Sequence, residues 1–292
     1  TNGRSCGTCH SPAEGWSISS DGAKLRFELT QGRDPLFRTV DGSNCSDHVD
    51  TGTLAGRRKA YSLLLDRGVI RIEVAVPENA EVTVASVQNP YGCDSASTLS
   101  LYRRPLPSTN LRFQSAIMWD ARESSPQTGT QKITYATNPV DLLADLAHQA
   151  LDATNGHAQG SVPLTAAQQK KIVDFEMSLI TAQAYDYRAG TLDGAGADGG
   201  PVFLAKHAMP NFFVGINDPL GGNPNSIPFT STIFKLFDNW THVANIPFDL
   251  FGTRARRESI ARGQAIFNSK PIDITGVSGL NDDLNVASIP GT

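Results

Sequence analysis

Apolar and polar positions along this chain predict helices joined by long loops, with a single β region. The stretch from Ser11 to Asp50 is punctuated by Gly15, Gly22, Gly32, Pro35 and Gly42 and reads as loop, with a short helical pattern over Ala23 to Leu29. From Thr53 to Arg67, Leu54, Arg57, Arg58, Tyr61, Leu64 and Leu65 recur at helical spacing, which predicts a helix that Gly68 ends. Val69 to Val76 then alternates for part of its length. Pro77-Glu78-Asn79-Ala80 makes a turn and Glu81 to Val87 returns, so a hairpin or small sheet is expected there. Arg103 to Asn110 cannot be a helix interior, because Pro105 and Pro107 remove donors and hold the backbone extended.

Helical periodicity returns further on. Pro139 to Leu151 puts Leu142, Leu143, Leu146 and Ala150 on one face, and Thr165 to Gln183 is the longest helix candidate, with Thr165 as its N-cap. Gly194 to Gly200 reads as a flexible turn. Pro210 to Pro228 reads as an ordered surface loop with Phe212, Phe213 and Ile216 buried, and Thr253 to Phe267 as a final helix.

Composition narrows the class. The 292 residues are 39% hydrophobic and 18% charged, enough to bury one large core or two smaller ones. A formal charge of −4 leaves no basic stripe for nucleic acid, and no run of eighteen apolar residues predicts a membrane span. Of the four cysteines, Cys45 and Cys93 each stand beside turn residues, so an oxidising compartment would let them pair; the other reading is two free buried thiols.

The chemistry concentrates at Cys6-Gly7-Thr8-Cys9-His10. Two thiols three apart with an imidazole directly after the second suit thioether attachment of a haem, His10 being the iron ligand. A structural zinc needs more ligands, and a redox Cys-x-x-Cys would follow a strand in a βαβ unit; both stay open as lesser readings. Attachment of haem c takes place outside the bacterial cytoplasm, so a periplasmic or otherwise exported protein with an upstream export signal is expected.

The haem motif, together with Leu106-Pro107-Ser108-Thr109-Asn110, Met118-Trp119-Asp120-Ala121-Arg122, Gln149-Ala150 and Arg262-Gly263-Gln264-Ala265-Ile266-Phe267-Asn268, resembles the bacterial dihaem cytochrome c peroxidase family, which includes the MauG proteins. The resemblance implies a mainly α, cytochrome c-like fold with long loops, the β region being an insertion. Residues 1–252 would form the first haem domain. Residues 253–292 would begin a second domain, whose own haem motif is expected beyond a helix like the one ending at Phe267-Asn268; both ends of the chain read as cut. It also implies electrons passed between two haems, peroxide or another small oxidisable substrate, and a small electron-donor protein such as a cytochrome c or cupredoxin. A homodimer stays open.

Site residues follow by the same resemblance. Trp119 matches the tryptophan between the haems, with Ala121 in place of the usual glycine. Gln149 matches a distal glutamine, but Gln159 stands where a glutamate is usual, and an amide cannot shuttle a proton. His157 could do that work, or could merely cap or pack near the end of its helix. Arg104 stands where an asparagine calcium ligand is common, which puts calcium in doubt. His48, between Asp47 and Asp50, reads as solvated, with a sixth-ligand role as its other reading, and Met118 reads as core more than as a ligand. His148 is expected to point away from the face that Gln149 uses, and His207 and His242 have no evident partner. The rival function is an electron-transfer cytochrome with its sixth iron position closed by a side chain.

Overall fold

The computed structural model describes residues 2–124, 136, 139–206, 232, 234–244, 246 and 249–271. They are mostly helical, with two small antiparallel sheets. The helices are α1 (Ser20–Thr30), α2 (Leu54–Ala60), α3 (Ser62–Arg67), α4 (Pro139–Asn155), α5 (Ala166–Ser178), α6 (Pro201–Lys206) and α7 (Thr253–Ser269). The strands are β1 (Ile70–Ala75), β2 (Thr98–Arg103), β3 (Tyr185–Asp186) and β4 (Gly190–Thr191). The chain forms two compact units, each discontinuous in sequence: Thr1–Thr109 with Leu146–Asp174, and Asn110–Asp145 with Phe175–Thr292. Among the described residues no helix is long and apolar enough to cross a membrane. The expected loop from Pro210 to Pro228, with Phe212, Phe213 and Ile216, lies outside them, as do His207 and the tail after Pro271.

In the first unit, α1 packs on α3 around Ile18, Phe27, Leu36, Phe37, Tyr61, Leu64 and Leu65. Phe27 meets Phe37 edge-on at 5.2 Å, and the Tyr61 hydroxyl donates to the Phe37 carbonyl at 2.9 Å, so the aromatic cluster is both packed and satisfied. The expected helix from Thr53 to Arg67 is in fact two. The Asn44 N–H donates to the Ala60 carbonyl (2.7 Å), its side-chain amide donates to the Lys59 carbonyl (3.2 Å), and its Oδ1 accepts from the Leu63 N–H (3.0 Å). These bonds take over backbone groups a continuous helix would pair internally, and the break falls at Tyr61. Gly68 ends α3 as expected, at φ 64°, where an added Cβ would stand 3.0 Å from the Ser20 nitrogen.

The β region needs a correction. β1 begins where the alternation predicts, but its partner is Thr98–Arg103, with Ile70 opposite Arg103 and Ala75 opposite Thr98. Residues 81–87 form no strand, and Val82 is 73% exposed. Alternation made both segments eligible, but β2 has a bonded partner for a buried charge: Arg71 donates to Ser100 Oγ at 2.7 Å and to Glu73 at 2.7 Å. The disulfide Cys45–Cys93, with Cα atoms 5.7 Å apart, ties the connection between the strands to the core.

α4 runs past Leu151 to Asn155, burying Leu142, Leu146 and Ala150 but leaving Leu143 exposed. α5 starts on Thr165, whose Oγ accepts from the Gln168 N–H while Gln168 Oε1 accepts from the Thr165 N–H, a reciprocal cap. It stops at Ser178 and is shorter than α4 and α7. Asn110 stops it: the Asn110 N–H and side-chain amide donate to the carbonyls of Leu179 and Thr181, and its Oδ1 accepts from the Thr181 N–H. The final helix appears as expected. The short β3–β4 pair and α6 were not foreseen. Ala189, Leu192, Ala197, Trp240 and Ala261 form the second unit's core, and the turn expected to be flexible belongs to it: Trp240 Nε1 donates to the Gly194 carbonyl, and a Cβ on Gly199 would meet the Phe237 ring at 2.8 Å.

Candidate functional site

Cys6–Thr8 is a 3-10 turn, and the N–H groups of Cys9 and His10 both donate to the Cys6 carbonyl, at 3.2 and 3.0 Å. This winds Cys6, Cys9 and His10 onto one side of a single turn. The turn is fixed from outside by Arg26, which donates to the Thr8 carbonyl at 2.5 Å and pairs with Asp34. Cys6 is exposed, Cys9 and His10 are partly buried, and neither thiol is in a disulfide.

His10 has one engaged nitrogen. Its Nδ1 lies 3.0 Å from the Trp16 carbonyl oxygen and 2.7 Å from Ser108 Oγ. A carbonyl only accepts, so the proton sits on Nδ1 and the Nε2 lone pair is left for a metal. Burial pushes His10 below its ordinary 6.5; the Trp16 carbonyl opposes this and the charge of His157 adds to it. Burial pushes the Cys9 thiol up to about 11, the Asp41 charge adding and Arg4 opposing, unlike the depressed thiol of a redox-active Cys-x-x-Cys. Among the described residues, Cys6, Cys9 and His10 do not converge on one point with or without a further ligand, as a closed zinc site requires. Two thiols and a neutral imidazole could hold a haem, the thiols through thioether bonds and the imidazole as iron ligand.

Beside the motif lies a buried charged cluster that the sequence did not reveal. Arg4 forks onto Asp41 at 2.7 and 2.8 Å, and His157 Nδ1 lies 3.0 Å from Asp41 Oδ2. Arg4 also donates to the carbonyls of Pro35, Leu36 and His157. Burial alone would raise the Asp41 carboxyl, but hydrogen bonds from His157 and Arg4 and their charges outweigh it and hold it below its ordinary 3.8. Nothing in Arg4-Ser5 or Asp41-Gly42 marks these residues, because their pairing spans 37 positions.

The other expected site residues are distributed as follows. Gln149 is partly buried on α4, in the same unit as the motif; Gln159 is exposed, with φ 52°. His148, His48 and His242 are exposed, as is Arg104, which donates to the Arg67 carbonyl. Met118 and Trp119 belong to the second unit, where Ile117 and Glu123 close a tight loop with Trp119 59% exposed at its tip. Met118 is partly buried, at φ 78°.

Compared with family models, curated proteins and solved structures, the chain matches none.

Ala121, in that loop, has φ 55°, the left-handed region that glycine enters without penalty. Ala121→Gly is therefore expected to raise stability by about 1 kcal/mol, read as a higher thermal midpoint; a lower midpoint would contradict the strain.

Proposed function

We propose that Cys6 and Cys9 would hold a haem c covalently, each S–H adding across one vinyl C=C to form a thioether, with His10 as iron ligand, and that the protein is an exported haem oxidoreductase of the dihaem cytochrome c peroxidase type. It would reduce peroxide, or carry out a related oxidation, with electrons from a small donor protein. The observation that carries this reading is the His10 ring, protonated at Nδ1 against the Trp16 carbonyl and free at Nε2, following two thiols at i, i+3 that are in no disulfide. A haem held there supplies a one-electron iron centre.

The chain's own residues supply the rest. His10 presents a neutral nitrogen in a fixed tautomer. His157, held at Nδ1 by Asp41 and with its side chain 39% exposed, is the group in this unit best arranged to take and return a proton at Nε2. Gln149, in the same unit, would give bound peroxide a polar contact. Trp119 is assigned to the electron route, its exposed ring suited to a second redox centre or a partner.

One observation favours the electron-carrier reading: both Nδ1 and the carbonyl of His157 are spent in the Arg4–Asp41 cluster, which accounts for the residue without catalysis. The deciding experiment produces the full chain in a host that matures c-type haem. Acid-acetone extraction is expected to leave the haem on the polypeptide, and Cys6→Ala with Cys9→Ala to abolish attachment; a colourless wild-type protein ends the proposal. With haem bound, a ferric form at least partly high-spin and quick to bind cyanide supports the peroxidase type, whereas a wholly low-spin, inert form makes it an electron carrier.

A further inference from the structure

We propose that Ser108 is a positioning residue for the axial histidine, its hydroxyl sharing the Nδ1 proton of His10 with the Trp16 carbonyl and so setting the donor strength of Nε2; this rests on the haem reading above. Neutral imidazole has a single N–H, and that N–H has two oxygens within hydrogen-bond range, at 3.0 and 2.7 Å. The nearer comes from a residue 98 positions away, so only the tertiary fold supplies it.

That fold is clipped together around the ring. The Ser108 N–H donates to the same Trp16 carbonyl at 3.0 Å, and Ser17 Oγ donates to the Pro105 carbonyl at 2.5 Å. The Pro105–Ser108 loop is thus held against the Ser11–Ser17 turn at both ends, and the Ser108 hydroxyl has little freedom to leave. The turn is itself pre-set. Ser11 donates to the Ser17 carbonyl at 3.0 Å and Trp16 to the Ser11 carbonyl at 2.9 Å, while Trp16 sits at φ 60° directly after Gly15 at φ 68°. A bulky residue in the left-handed region is an outlier that persists only where its surroundings enforce it. Here it serves to aim a carbonyl at the ligand ring.

The chemical consequence has a sign. Two acceptors pulling on one N–H make the ring more imidazolate-like, which strengthens Nε2 as a donor and favours the ferric over the ferrous state. Removing the hydroxyl removes the shorter of the two bonds. The test uses the full haem-loaded chain as wild type, Ser108→Ala and Ser108→Thr, measuring haem content, unfolding midpoint and reduction midpoint potential. Haem content and stability are expected to stay within error, the potential of Ser108→Ala to shift positive, and that of Ser108→Thr, which restores a hydroxyl, to return to the wild-type value. A purely structural role would not predict the return with threonine. Should Ser108→Ala not accumulate, Ser108→Cys, of similar size but a weak acceptor, must shift the same way. A fully loaded Ser108→Ala or Ser108→Cys protein with an unchanged potential overturns the inference and leaves the haem reading intact. A wild-type chain without covalent haem overturns both.

Discussion

Arg4→Met is expected to cost about 3 to 5 kcal/mol, the usual toll of removing one partner from a buried ion pair. The Arg4 and Asp41 side chains are each only 4% exposed, so water cannot replace what the substitution removes. Asp41 would keep only His157, and the carbonyls of Pro35, Leu36 and His157 would lose a shared donor. Against a total stability of about 5 to 15 kcal/mol this is a large fraction. Urea unfolding at pH 7 checks it. Adding Asp41→Asn should recover part of the loss, because it removes the stranded charge; a double variant no better than Arg4→Met alone would show that the charge was not the cause. The pH dependence has a definite sign. The folded Asp41 carboxyl titrates below its ordinary 3.8, so its contribution is fully present above that value and is lost as pH falls through the lower, folded one.

Removing the Cys45–Cys93 disulfide, as Cys45→Ala with Cys93→Ala, is expected to cost about 4 kcal/mol from the added freedom of the unfolded chain. The figure follows from a sequence separation of 48. Around the bridge the Asn44 carbonyl accepts from the Tyr102 hydroxyl at 2.7 Å, so the variant should keep β2 against the core while the connection between the strands loosens. Equilibrium unfolding gives the energy. Non-reducing peptide mapping should recover one Cys45–Cys93 peptide, and four alkylatable thiols before reduction in haem-free chain would refute the bridge.

Local signals account for much of what could be read without coordinates. Gly68 terminates α3 and Thr165 starts α5 because each acts within a few residues of itself, through positive φ in one case and a side-chain cap in the other. Failures arose where a distant polar side chain intervened. Asn44 splits the helix expected through Tyr61, and Asn110 ends α5 five residues early, each by taking backbone hydrogen bonds that periodicity assigns to the helix. The strand partner failed for a related reason. Alternation states that residues 81–87 and 98–103 can both form strands, but a buried Arg71 needing Ser100 decides between them.

The candidate site divides along the same line. By itself the sequence determined which atoms can bond, two thiols and an imidazole at i, i+3 and i+4, because that spacing is a property of one turn of chain. Only the tertiary structure decided the state of that imidazole and the support behind it. The Trp16 carbonyl, the Ser108 hydroxyl and the Arg4–Asp41–His157 cluster reach the motif from positions up to 153 residues apart, and a hydrogen bond acts over about 3 Å of space whatever the separation along the chain.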